Sequence, residues 1–534
     1  MEQVKNAIQV ATKELFDVDV EPELSRVREQ FGDYATNVAL QLAGKLNKNP
    51  RDIATDLKAK IASPAIKKTE VAGPGFINIH LRDEALAKQA FEQKIAQPLK
   101  GQEILVEFGD PNPFKEMHLG HLYTAVVGDA IASLLSASGA NVKRLSYHGD
   151  VGMHVAKWLW GRQHAEGKDD EPLGYYYVVG AKAFEQDEQA AKEIQDLNHK
   201  VYAQDASIRE LYDQGKSQSF EQFDAIFREL GVNYDKRYLE SEASEIGLEY
   251  VRKHVGKVFE ESQGAVIYNG EKVGLHTRVF ITSRGLPTYE AKDLGLTELK
   301  DNDFPEATRS IIITAHEQSE YFQVMLAALK EIDPKLADKT VHLAHGFLSL
   351  TTGKMSSRTG DVHAAKDLLH SVHEAVKAQY PRSEVQQESY LAAVKYTFLK
   401  NRIGGDIVFD VKESINIEGN SGPYLQYAYA RACSILAKTQ AKKSDFKDFQ
   451  PGERSLVRKI SEYPEVVEKA VHELIPHHVC TYLYELAQTF NRFYENNRVI
   501  GNEREVIRLR LVETYADVLK SGLNLLNIEA PDKM

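Results

Sequence analysis

Apolar positions change their rhythm twice along this chain, and each change marks a module. Residues 1–82 mix helical spacing with a strand-like close at VAGPGFINIHL, where Gly73, Pro74 and Gly75 set a turn before alternating apolar residues. A polar helical stretch at 83–100 reads as a connector. From residue 101 short β-branched runs alternate with helical patterns: EILVEF at 103–108, NVKRLSY at 141–147, RVFITS at 278–283, SIIITA at 310–315 and TVHLAH at 340–345. Strands of that kind, spaced by helices, predict an α/β module with a parallel sheet over 101–385. A charged, mostly helical stretch at about 162–275 interrupts the alternation and reads as an insertion. From 386 to 534 strand signals are scarce, and patterns such as YLYELAQTFNRFYENNRV predict a helical bundle.

Length agrees with several modules, since 534 residues exceed what one hydrophobic core supports. Hydrophobic residues at 43% and charged residues at 27% describe folded chain rather than long disorder. No internal repeat points to a solenoid. The first residues carry no apolar export block, and no stretch approaches the roughly 18 uninterrupted apolar residues of a spanning helix, so a cytoplasmic protein without membrane contact is expected. Two cysteines, Cys433 and Cys480, cannot make a disulfide framework or a cysteine zinc site. A net charge of −12 excludes indiscriminate attraction to nucleic acid, so any such contact must be local.

Two segments carry candidate chemistry. In EILVEFGDPNPFKEMHLGHLYTAVVG a buried strand runs into a loop, and His118-Leu119-Gly120-His121 opens a helix. His118 and His121 lie one turn apart and face the same side, while Gly120 leaves room for a flat ligand against the backbone. The positive end of the helix and its free N–H groups suit phosphates. Imidazole donors and Lys115 can there stabilise charge that builds at phosphorus. The second segment, SLTTGKMSSRTGDV at 349–362, follows a strand and offers Lys354, hydroxyls and Arg358 to a triphosphate, with glycines at 353 and 360 as hinges. No set of zinc ligands stands at useful spacing, and no protein cage for a metal is legible.

HLGH and GKMSSR resemble the HIGH and KMSKS signatures of class I aminoacyl-tRNA synthetases, and PNPFKEMHLGH resembles the extended form in arginyl-tRNA synthetases. The likeness runs through the whole chain: FGDYATNVALQLAGKLNKNPRDIA and VAGPGFINIHL resemble that family's N-terminal domain, and EGNSGPYLQYAYAR the start of its C-terminal helical region. The resemblance implies a Rossmann-type catalytic domain between an N-terminal α+β tRNA-binding domain and a C-terminal helical anticodon-binding domain. It further implies ATP-dependent ligation of L-arginine to tRNA(Arg) through an arginyl-adenylate, with magnesium as phosphate counter-ion, by a monomer.

Carried over residue by residue, Lys115, His118, Gly120, His121 and Lys354 would be catalytic. His118, Gly120, His121, His345, Gly346, Lys354, Met355 and Ser356 would meet ATP, and Glu107, Asn112, Tyr289, Asp293 and Gln318 would hold arginine. A planar cation with five N–H donors is held well by carboxylates in its plane, which suits Glu107 and Asp293. Tyr289, four residues before Asp293, shares its helix face and could wall the pocket or hydrogen-bond the substrate. Tyr424, Gln426 and Tyr427 would read tRNA, with the two tyrosines on one face for stacking on unpaired bases. Three positions depart from the family: Ser357 replaces the second lysine of KMSKS, Glu116 replaces a proline and could offset Lys115, and HGDVGMH replaces a GDWGTQ-like stretch. The rival readings are a class I synthetase for another amino acid, a metabolic nucleotidyltransferase and a non-catalytic tRNA-binding regulator. The paired carboxylates, the long helical module and the intact His118, His121 and Lys354 argue against these in turn.

Overall fold

The computed structural model describes residues 2–165, 171–351, 364–439 and 448–534. Its N-terminal part packs helices Glu2–Phe16, Val38–Leu46 and Pro50–Lys60 on a four-stranded antiparallel sheet. Strands Ile66–Ala72 and Phe76–Leu81 form the hairpin expected around Gly73–Gly75, and Ile77, Ile79 and Leu81 point into the core as the alternation requires.

The middle of the chain builds a five-stranded parallel sheet from β1 (Glu103–Glu107), β2 (Asn141–His148), β3 (Lys236–Leu239), β4 (Ala307–Ala315) and β5 (Thr340–His345). Their spatial order is β3-β2-β1-β4-β5. The chain therefore works outward from β1 on one side and then crosses to β4 on the other. That reversal opens a crevice at the carboxyl ends of β1 and β4, where such sheets bind ligands. Helix α1 (Leu119–Ala137) leaves β1 and is buried along most of its length. Among the described residues it is the one helix long and apolar enough to cross a bilayer, yet it is a core helix, apolar all round because protein surrounds it.

Two sequence expectations need correction. The run at 278–283 is not in the parallel sheet: Arg278–Ile281 pairs antiparallel with Ala265–Tyr268, which pairs with Glu260–Ser262. Val279 is exposed on that small sheet, and a strand wetted on one face needs an antiparallel partner rather than a place between helices. Conversely β3 lies inside the stretch read as an insertion. Its sequence, KRYL, buries only Tyr238 fully, because an edge strand needs no continuous apolar run.

The rest of 162–275 is largely helical, with helices Leu173–Gln186, Glu188–Tyr202 and Arg209–Leu230. Helices α2 (Glu240–Lys253) and α3 (Tyr289–Asp303) then lie backbone to backbone. A Cβ on Gly247 would come within 2.0 Å of the Ala291 carbonyl, and one on Gly295 within 2.1 Å of the Ala243 carbonyl. The C-terminal stretch is a bundle that includes α4 (Gln386–Leu399) and α5 (Glu505–Leu525). It also holds one short strand, Ile407–Phe409, which pairs in parallel with Leu348–Leu350 beyond β5.

Candidate active site

The site begins where β1 ends. Between β1 and α1 the loop folds back through Phe114, a buried side chain whose φ of 67° lies in the left-handed region. That conformation is uncommon without glycine, and it is held by the Phe114 N–H donating to Ser219 Oγ at 2.8 Å and by the ring packing on Trp158, 5.2 Å between centroids.

His118 caps α1. Its Nδ1 accepts the Gly120 N–H at 3.1 Å, and His121 Nδ1 accepts the His118 N–H at 3.4 Å, so each ring satisfies a free donor of the helix end. The rings stack 3.6 Å apart. A Cβ on Gly120 would lie 2.9 Å from the His118 ring, so glycine is what admits the stack. With Nδ1 accepting on both rings, each neutral imidazole carries its proton on Nε2, free to donate. Burial among protein atoms, helped by Lys115, pushes His118 down to about 4. Burial, with the neighbouring charges of His118, His148, Lys115 and His345, pushes His121 well below its ordinary value. Both rings are thus neutral donors at physiological pH.

Lys115 is itself lowered by burial and by Lys157, and its Nζ lies 4.7 Å from the centroid of the Tyr177 ring. Glu116 does not offset it; Glu116 pairs with Lys366 at 3.2 Å instead. At the end of β5, His345 Nε2 lies 2.7 Å from Thr124 Oγ1 on α1, and its Nδ1 lies 2.7 Å from the Gly346 carbonyl. Gly346 passes tightly over Gly405, whose carbonyl a Cβ would approach to 2.1 Å. The expected ATP contacts Lys354, Met355 and Ser356, with Ser357 and Arg358, lie outside the described residues.

The expected arginine ligands come from four segments of the chain. Glu107, at the end of β1, is buried and forms an ion pair with the buried Lys300 of α3. Asp293, two turns before Lys300 on the same helix, is buried and accepts the Tyr321 hydroxyl at 2.7 Å. The two carboxylates lie close enough that burial, and then Glu107 and Glu240, push Asp293 up to about 7 against the lowering by Tyr321 and Lys300. Asn112 Oδ1 accepts the Gly149 N–H at 3.2 Å, which leaves its amide NH2 to donate. Tyr289 is 62% exposed, with Lys292 Nζ 4.6 Å above its ring. Gln318 is exposed in the turn that follows β4.

Sequence reasoning missed Lys300, Glu240, Lys292, Tyr321 and Tyr147. Lys300 had a signal, since seven residues on from Asp293 is the same helix face. Glu240 had none: it opens α2, and only the close approach of α2 to α3 puts it on Lys292, both side chains buried.

In the C-terminal module, Tyr424 and Gln426 are core residues rather than an exposed reading surface. The Tyr424 hydroxyl accepts from Asn491 at 3.0 Å, and Gln426 Nε2 donates to the carbonyls of Glu388 and Glu529 at 3.2 and 2.8 Å. A helix that packs against α5 turns that face inward, so only Tyr427 is exposed, with the Arg431 guanidinium 4.9 Å from its ring centroid.

Three family models match consecutive stretches of the chain: an arginyl tRNA synthetase N terminal domain over residues 2–81, a class I (R) tRNA synthetase catalytic domain over 83–408, and a DALR anticodon binding domain over 425–534. The chain is 28% identical over 600 residues to an arginine–tRNA ligase of Porphyromonas gingivalis, with 100% of each covered. It is 31% identical over 562 residues to that of Cutibacterium acnes, with 97% of each covered. Its structure is similar to the solved Thermus thermophilus arginyl-tRNA synthetase, with a TM-score of 0.85, 27% identity and 100% of each chain covered. It is also similar in fold to the Plasmodium falciparum arginyl-tRNA synthetase, with a TM-score of 0.81, 22% identity, and 100% and 99% of the two chains covered.

Proposed function

The chain belongs to the arginyl-tRNA synthetase family and uses ATP to join arginine to tRNA, and on that premise we propose which of its residues do so. Asp293 and Glu107 take the guanidinium of arginine. The observation that carries this reading is a charge mismatch: Glu107, Glu240 and Asp293 face only Lys300 and Lys292, and Asp293 has no cation within ion-pair distance among the described residues. A buried carboxyl left without a cation is costly, and a guanidinium supplies the missing charge in a geometry carboxylates accept. Glu107 shares its charge between Lys300 and the substrate. Asn112 and Gln318, with free amide donors beside the crevice, hold the α-amino and carboxylate end.

With arginine so placed, its carboxylate attacks the α-phosphorus of ATP and pyrophosphate leaves. The Nε2–H groups of His118 and His121, neutral and at the positive end of α1, stabilise the charge that develops on the phosphate oxygens rather than shuttling protons. Lys115 and Lys354 add cations around the triphosphate, and His345 and Gly346 border the nucleotide. A tRNA hydroxyl then takes the arginyl group from the adenylate. Magnesium accompanies the triphosphate as its counter-ion. The domains divide the work at 1–82, 83–100, 101–385 and 386–534, with the end modules gripping tRNA(Arg), and a single cytoplasmic chain carries all of them.

ATP–pyrophosphate exchange with each of the twenty amino acids, with and without tRNA, is the test. Only arginine should support exchange, and Asp293→Asn should raise the KM for arginine about tenfold or more while the KM for ATP stays within about twofold. Exchange driven by another amino acid, or an arginine KM untouched by Asp293→Asn, sinks the assignment.

A further inference from the structure

Four carboxyl groups converge under the carboxyl ends of β1 and β2, and three of them are joined to a partner side chain. Glu107 is on Lys300, Glu240 on Lys292, and Asp293 holds the Tyr321 hydroxyl. The fourth, Asp110, accepts the backbone N–H of Tyr147 at 2.8 Å. The Tyr147 side chain is the exception. Its hydroxyl is buried and has no hydrogen-bond partner among the described residues.

The sheet fixes where that hydroxyl sits. Leu145 of β2 is level with Glu107 of β1, so both point to one face of the sheet. Tyr147, two residues on, stands on the same face one step nearer the carboxyl edge, level with Tyr238 of β3. Glu240, Asp293, Glu107 and the Tyr321 phenol all lie close enough that their charges, added to burial, keep the phenol proton on. Tyr147 therefore offers a neutral oxygen with lone pairs and one O–H, surrounded by acceptors it does not reach.

A buried hydroxyl left unpaired is costly, and so it marks where a ligand group belongs. The guanidinium has five N–H donors in one plane, and one carboxylate takes at most two of them side by side. Glu107 is already shared with Lys300, so the two carboxylates leave at least one donor over. We propose that the Tyr147 oxygen accepts a terminal guanidinium N–H of arginine. Tyr147 is then a specificity-determining residue: it rejects side chains that carry the charge but lack that donor. This rests on the reading that Glu107 and Asp293 take the guanidinium.

Pyrophosphate exchange with arginine and with Nω-methyl-L-arginine, in the wild-type enzyme and in Tyr147→Phe, tests it. Tyr147→Phe should raise the KM for arginine about tenfold, leave kcat and the KM for ATP within about twofold, and shrink the wild-type penalty against the methylated substrate. An unchanged arginine KM, or an equal methylation penalty in both enzymes, overturns the proposal. A structural role would not produce that coupling between one hydroxyl and one N–H. Should Tyr147→Phe fail to fold, the wild-type comparison still decides, because equal use of both substrates would refute the contact. Asp293→Asn separates the premises: if it raises the arginine KM and Tyr147→Phe does not, only Tyr147 falls, whereas no effect of Asp293→Asn removes the pocket itself.

Discussion

Asp293 shows how one side chain can couple substrate and proton. Burial holds its carboxyl at about 7, above its ordinary range, so in the empty pocket it is protonated below that pH and ionised above it. A guanidinium favours the carboxylate, so arginine binding releases a proton near neutrality, and affinity falls as pH falls through about 7. The KM for arginine should therefore be flat above about pH 7 and climb about tenfold per unit below it. His118, at about 4, stays neutral through that window and cannot produce the slope. Asp293→Asn should abolish it, and an unaltered slope in that variant would assign the titration elsewhere. At this scale the residue types were legible, since HLGH and the acidic positions stand in the sequence. Their partners were not: nothing in the string EILVEF tells that Glu107 meets Lys300.

Elements place those residues, and α1 is the one on which the chemistry turns. Its start is fixed by local rules, a histidine cap with glycine behind it, and so was readable from sequence. Its seat on the sheet depends on Gly128, where a Cβ would fall 2.1 Å from Phe108. Gly128→Ala should push α1 off β1, lowering stability by about 1–3 kcal/mol in a denaturant titration and cutting kcat for exchange as the histidines shift. A variant with wild-type kcat would mean that the helix start is positioned from the loop rather than from its packing. Strand type was legible wherever runs were continuous and apolar. It failed at 278–283 and at β3, because an edge or half-wetted strand carries too few buried residues to declare its partner.

At the scale of the whole molecule, partly buried charges tie the N-terminal part to the C-terminal bundle. Arg26 holds Glu465 with bonds of 2.9 and 3.0 Å, and the Tyr34 hydroxyl donates to the same carboxylate at 2.6 Å. Arg454 bridges Asp33 and Asp83 at 2.8 and 3.1 Å. The connector helix is thus clamped to the bundle rather than free. Asp33→Asn leaves Arg454 and Arg458 facing a neutral group and should cost about 3 kcal/mol in unfolding, with the loss concentrated at the N-terminal part in hydrogen exchange. Uniform loss across the molecule would show that the clamp is not local to these ends. A second knot joins the catalytic helix to the end of the chain, where Asn527 Nδ2 donates to Asp129 Oδ2 at 2.6 Å and Lys395 donates to the Asn527 carbonyl at 2.6 Å. None of these ties is visible in sequence, where their members lie hundreds of residues apart. What the sequence by itself determined was the local matter: module order, the helix that HLGH opens, and the kinds of side chain that meet a triphosphate and a cation, because periodicity, caps and residue chemistry act over a few neighbours. What only the tertiary structure decided was which carboxylate lacks a cation, that Tyr424 and Gln426 are core, and that Tyr147 is left unpaired, since burial and partnership arise only when distant segments pack.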